Sequence, residues 1–237
     1  MKNASLRLAA GALLPLLLFC SLLDGRAQVV KSPYPTMAPL DSYLIADEQG
    51  EVALARSAAP ASISNAADVM VLRRDGFATA AKGTNGFVCI VERSWAKQTN
   101  DAEFWNPKVS APTCFNPAAA TTFLPIFLLK TKLVLAGASP EKILAATTAA
   151  LGSKQVPPLA QGAMCYMMSK QQYLGDDVMN WHPHLMFFVS GDSAGSWGAN
   201  MQGSPLIAGD DPEERVTVMM MLAGKWSDGT PAASMQH

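Results

Sequence analysis

The chain has 237 residues, 49% of them hydrophobic and 16% charged, with 18 Lys and Arg set against 19 Asp and Glu. A formal net charge of −1, with no basic cluster anywhere, excludes the electrostatic footprint of a nucleic-acid binder or of a protein drawn to anionic membranes. Four cysteines in this length are too few for a disulfide-built scaffold, so a hydrophobic core has to hold the fold.

Residues 1–27 read as a secretory signal peptide. Lys2 and Arg7 lead into the apolar run Leu8 to Leu23, and Gly25-Arg26-Ala27 supplies small residues for cleavage before Gln28. The run is shorter than the about 20 apolar residues of a spanning helix. Phe19, just before Cys20, is too bulky for a lipid-attachment signal. No later stretch is long and apolar enough to span a bilayer, since Lys130 and Lys132 cut the run from Phe123 to Leu135. The expected address is export, periplasmic or extracellular. Cleavage leaves Cys89, Cys114 and Cys165, an odd number that forces at least one unpaired thiol in a monomer.

Residues 28–40, with Pro33, Pro35 and Pro39, read as an extended arm. Asp41 or Ser42 caps a helix that reaches about Ser57, weakened at Gly50 and ended by Pro60. Asp68 to Leu72, Phe77 to Lys82 and Phe87 to Glu92 are three strands, joined at Arg74-Asp75-Gly76 and Thr84-Asn85-Gly86. Asn-Gly is a strong hairpin signal, so the three should form an antiparallel meander. On the third strand Val88, Ile90 and Glu92 share one face and Phe87, Cys89 and Val91 the other. Residues 94–117 read as a loop pinned by Trp95, Phe104 and Trp105.

Asn116-Pro117 opens a helix that runs towards Leu135 with a break at Pro125, and Ser139-Pro140-Glu141 opens another that stops at Gly152. Gly162 to Ser169, His184 to Ser190 and Val216 to Ala223 are strands apolar on both faces, as expected when both faces are covered. The tail 230–237 should fray. The class is α+β: one domain over 41–229 with a mainly antiparallel sheet of about six strands, in two groups of three, and two or three helices.

GTNGFVC at 83–89, PTCFNPAA at 112–119, GAMCYMMSKQQYL at 162–174, WHPHLMFF at 181–188 and SWGAN at 196–200 resemble a group of uncharacterised exported bacterial proteins. The resemblance implies secretion and carries no activity with it.

The stretch 162–189 gathers Cys165, Trp181, His182 and His184, and any chemistry is expected near it. His182 and His184, two apart on a strand, would face one side and could meet one metal ion. Cys165, Asp176, Asp177 or Asp192 would then supply a third ligand. Nine methionines between 164 and 221 add thioethers suited to copper(I), although methionine more commonly fills cores. Cys165 could instead act as a nucleophile with His182 or His184 as base. Gly191-Asp192-Ser193-Ala194-Gly195 matches the nucleophile elbow of serine esterases, but the only histidine after it is His237 and the residues that follow are turn-like rather than helical. Trp181 and Trp197 are loop aromatics able to meet a ligand. Cys89 and Cys114 are expected to pair, which leaves Cys165 free. No cofactor is specified, and nothing selects between a small-molecule and a protein partner. The preferred expectation is a non-catalytic binding or structural module. The alternative is a small periplasmic enzyme or metal-handling protein centred on His182, His184 and Cys165.

Overall fold

The computed structural model describes residues 32–232. The signal peptide, the first residues of the arm and the end of the tail lie outside the described residues. Among the described residues eight strands form one sheet: β1 (Asp68–Arg73), β2 (Gly76–Ala81), β3 (Val88–Glu92), β4 (Ala111–Phe115), β5 (Met164–Met167), β6 (His184–Ser190), β7 (Ile207–Asp211) and β8 (Val216–Leu222). Their order is β2-β1-β3-β4-β5-β6-β8-β7. Every pairing is antiparallel except β1 with β3, so the sheet is mixed.

The α+β class holds, but the sheet is larger than its apolar runs indicate. β4 is central and wholly buried, yet it contains Pro112, and a proline inside a run argues against a strand. β7 carries Gly209 and two aspartates on the sheet edge, where little apolar surface is needed. The expected meander is also corrected. β1 and β2 do form a hairpin. β3, however, crosses to the far side of β1 and runs parallel to it. The Asn85-Gly86 turn serves that crossing: Thr84 N–H donates to Ala66 O at 2.7 Å and Asp68 N–H to Phe87 O at 2.9 Å. The chain passes so close that a Cβ on Gly83 would sit 2.2 Å from the Ala66 carbonyl oxygen.

Among the described residues there are five α-helices: α1 (Glu48–Arg56), α2 (Ala61–Ser64), α3 (Pro117–Thr122), α4 (Leu124–Leu135) and α5 (Pro140–Gly152). The first starts later than expected, because Asp47, whose carboxylate accepts from Gln49 N–H, is the cap. α3 and α4 separate at Phe123, where Pro125 occupies the first turn of α4 and needs no donor there.

Register assigns the faces. Val88, Ile90, Phe115, Cys165, Met186, Phe188, Val218 and Val216 point one way, since directly opposed residues share a face. α3, α4 and α5 pack there, with Phe123, Ile126, Phe127 and Ile143 buried. Val69, Cys89, Val91 and Cys114 point the other way, beneath Ala55, Ala58 and Ala59 of α1 and the turn after it. Cys89 and Cys114 are directly opposed on β3 and β4 and form the disulfide, with Cα atoms 4.0 Å apart. Among the described residues Cys165 is the free cysteine, and it is buried. Among the described residues no helix is long and apolar enough to cross a membrane.

Candidate functional site

β6 begins at His184, so strand alternation does not extend back to His182. The two histidines are joined differently: His184 Nδ1 donates to the His182 carbonyl oxygen at 2.7 Å. Trp181 stands edge-on to the His184 ring, with centroids 4.8 Å apart. The Trp181 carbonyl is itself held by Gln172 Nε2 at 2.6 Å. His184 is 2% exposed. Burial pushes its imidazole below the usual histidine range, against the opposing effect of the His182 hydrogen bond. Trp181-His182-Pro183-His184 is thus a knot that seats the entry of β6, and Pro183 lies just outside the ladder, where its missing N–H costs nothing.

Cys165 lies on β5 opposite Met186, two residue pairs along the ladder from Met167–His184. It is fully buried, and burial pushes its thiol well up, with Glu92 adding to the rise. A nucleophilic cysteine needs the opposite shift. Asp176 is occupied by the Tyr34 hydroxyl at 2.6 Å and Lys108 Nζ at 3.0 Å. Among the described residues no group of three or more His, Cys, Asp or Glu is arranged to hold a metal ion. The Ser193 hydroxyl donates within its own turn, to Ser190 O at 3.3 Å. A one-turn 3-10 helix, Gly195–Trp197, follows it instead of an α-helix. Trp197 is exposed and stands apart from the residues described next.

The concave feature with the richest chemistry lies elsewhere, between the helix-covered face of the sheet and α4. It is a cleft of about 230 Å³ whose apolar wall includes Phe123, Phe127, Met186, Phe188 and Val218. One end is polar. Glu92, the last residue of β3, enters it from the floor; Glu214, on the β7–β8 turn, and Asp211 close the far side; Arg93 and Lys97 line the near side. Glu92 is 7% exposed and Glu214 8%. Among the described residues the one hydrogen-bond donor to the Glu92 carboxyl is the Thr113 hydroxyl, at 2.7 Å. Burial pushes Glu92 up to about 7; the Thr113 bond opposes this, Glu214 adds to it, and Lys130 opposes it.

Lys130 projects from α4, 1% exposed, and donates to Glu214 at 2.6 Å. Burial works against its charge, but Glu214, Asp211 and Glu213 together hold the ammonium above its usual value. Burial raises Glu214 in turn, with Lys130 opposing. Arg93 turns away from the opening. It pairs with Glu51 of α1 at 2.9 Å and donates to Tyr43 O at 2.6 Å. The same Glu51 accepts Leu72 N–H at 3.1 Å. Helix α1, strand β1 and the end of β3 are therefore tied at one buried carboxylate, which fixes where Glu92 points.

Comparison with known proteins yields no match: no family model, no curated protein and no solved structure is similar to the chain.

Glu92, Glu214 and Lys130 are not among the residues picked out by motif. Two of them left a signal. The alternation of β3 already puts Glu92 on the face of Val88 and Ile90, and an acid in line with buried residues requires a reason to be there. Lys130 interrupts Leu-Pro-Ile-Phe-Leu-Leu, a helix apolar nearly all round, where a cation needs a buried partner. Glu214 sits in Asp-Asp-Pro-Glu-Glu, and nothing in that run distinguishes it from its neighbours.

Proposed function

We propose that this protein is an exported, non-catalytic binding module that holds a small, largely apolar molecule in the cleft under α4. The observation that carries this is the cleft itself: about 230 Å³ of space bounded by aromatic and aliphatic side chains, with a few convergent buried charges at one end. Such an apolar chamber with a few placed polar groups is the usual form of a small-molecule site. Its volume lies below the about 300–1,000 Å³ of pockets for drug-sized ligands, which favours a compact occupant. The export component rests on residues 1–27, and the Cys89–Cys114 disulfide is a bond that an oxidising compartment allows to persist.

Binding is preferred to catalysis for a chemical reason. Glu92 has a protonation midpoint suited to proton transfer, but its charged neighbours are already committed to each other, Lys130 to Glu214 and Arg93 to Glu51. Among the described residues no serine, threonine or cysteine lines the cleft. The alternative centred on His182, His184 and Cys165 draws no support from a thiol raised by burial and an imidazole sealed from solvent.

Native mass spectrometry of protein recovered gently from its own source tests the proposal. A non-covalent adduct of low mass is expected. It should be lost in Val218→Phe, which extends the cleft wall inward, while thermal stability stays near that of the parent. An adduct that survives in Val218→Phe would place the ligand elsewhere. A protein that binds no small molecule, native or offered, would defeat the proposal.

A further inference from the structure

The charges around the cleft are unevenly partnered, and the imbalance specifies what an occupant must bring. On the basic side, among the described residues, every lining cation is paired. The Arg93 guanidinium is spent on Glu51 and on the Tyr43 and Val91 carbonyls. Lys97 pairs with Glu103 at 3.3 Å. Lys130 pairs with Glu214 at 2.6 Å. On the acidic side, among the described residues, two carboxyls make no ion pair, although Lys130 lies near enough to act on both. Asp211 accepts Glu214 N–H at 3.0 Å, and Glu92 accepts only the Thr113 hydroxyl.

Resting on the binding role proposed above, we infer that the occupant is a small organic cation: an ammonium group seated at Glu92 and carried on an apolar body that lies against Phe127, Phe188 and Val218. An anion would meet Glu92, Glu214 and Asp211 with no uncommitted cation to receive it. A purely apolar molecule would leave the Glu92 carboxyl buried with a single hydrogen bond, a costly arrangement. An ammonium brings three donors and one positive charge, which are the two things the floor of the cleft lacks. A metal ion would need a set of donors that the described residues do not assemble. Size agrees with a one-ring body, since an engineered apolar cavity of about 150 Å³ accepts benzene.

The groups that face Glu92 are Lys130 from α4, Glu214 and Asp211 from the β7–β8 end, Lys97 and Arg93 beyond β3, and the Cys165 thiol from β5. Of these, Glu92 itself changes charge near neutrality. The ammonium binds its carboxylate, so affinity follows the ionised fraction of Glu92. With a midpoint of about 7, that fraction and the apparent affinity should rise roughly 90-fold from pH 5 to pH 8.

The experiment compares 2-phenylethylamine with 2-phenylethanol, near-isosteres that differ in charge, by isothermal calorimetry on the purified protein. Expected are tighter binding of the amine at pH 8, by tenfold or more, a steep gain in its affinity from pH 5 to 8, and no such gain for the alcohol. Glu92→Gln, which keeps shape and the Thr113 bond, should erase the amine's advantage and its pH dependence while alcohol binding persists. Equal binding of the two probes, or an amine preference indifferent to Glu92→Gln, would overturn the inference and leave the apolar binding role standing. Binding of neither probe would remove both. If Glu92→Gln does not fold, the pH series on the parent protein decides, because a flat amine profile is incompatible with a carboxylate anchor at Glu92.

Discussion

Glu92→Gln also makes a quantitative demand on the free protein. Burial raises the Glu92 carboxyl from an ordinary 4.5 to about 7. Below the lower value the group is protonated in both folded and unfolded chains and does not affect their balance. As the pH rises, the unfolded chain releases the proton first while the folded chain retains it, so stability falls until the folded form also ionises. Each pKa unit corresponds to 1.36 kcal/mol, and integration over the range pH 5 to 8 gives a loss of about 2.5 kcal/mol. Glutamine does not titrate. The stability of Glu92→Gln relative to the parent should therefore increase by about 2.5 kcal/mol across that range. Urea unfolding at successive pH values measures it, and taking the difference between the two proteins removes most of the titration common to both. A difference that stays within about 0.5 kcal/mol, the scale of an ordinary surface substitution, would refute the burial of an unpaired carboxyl in the cleft.

Three other substitutions bear on the frame around it. Lys130→Met leaves Glu214 buried without its cation and should cost about 3–5 kcal/mol, with Lys130→Met combined with Glu214→Leu recovering most of it; calorimetric melting reads both, and a double variant as weak as the single would refute the pairing as cause. Replacing Cys89 and Cys114 by alanine opens a connection of sequence separation 25 and should cost about 3.5 kcal/mol in the chain-entropy model, with linked peptides in a non-reducing digest of the parent as the control. Cys165 should resist a thiol reagent in the native protein and react fully once unfolded, because its thiol is buried and raised; native reaction at the rate of a free thiol would disprove that burial.

Much of the frame is legible in the sequence because it depends on local chemistry. β6 begins and ends where its apolar run does, Asn116 caps α3 through Ala119 N–H, and the break before α4 follows from Pro125. What is not legible depends on distant partners. β4 is a strand because β3 pairs along all five of its residues and β5 with Cys114 and Phe115; the five residues alone do not say so. The side on which β3 pairs is set by the fit of Gly83 beneath Ala66, and the Asn-Gly turn is compatible with either side. The cleft is harder still. Its ion pair joins positions 130 and 214, and neither residue carries a motif. Histidine and cysteine draw attention by chemical type, whereas here the fold buries His184 and Cys165 and places two glutamates in the cleft under α4.

That placement has a consequence for how the molecule is built. Stability alone would favour filling the space under α4 and replacing Glu92, Glu214 and Lys130 by apolar side chains, since buried ion pairs commonly gain nothing over a well-packed hydrophobic substitute. Elsewhere on the helix-covered face Phe115, Ile126 and Ile143 are buried apolar side chains. Departures from local rules concentrate where a protein does something else. Here they converge on one volume, from β3, from α4 and from the β7–β8 turn, and a second buried pair, Arg93 with Glu51, secures the strand end that carries Glu92. The disulfide between β3 and β4 braces the same strand from the opposite face. These two constraints hold one carboxyl at the polar end of an apolar cleft, the pre-organisation expected of a binding group and more than a core position requires.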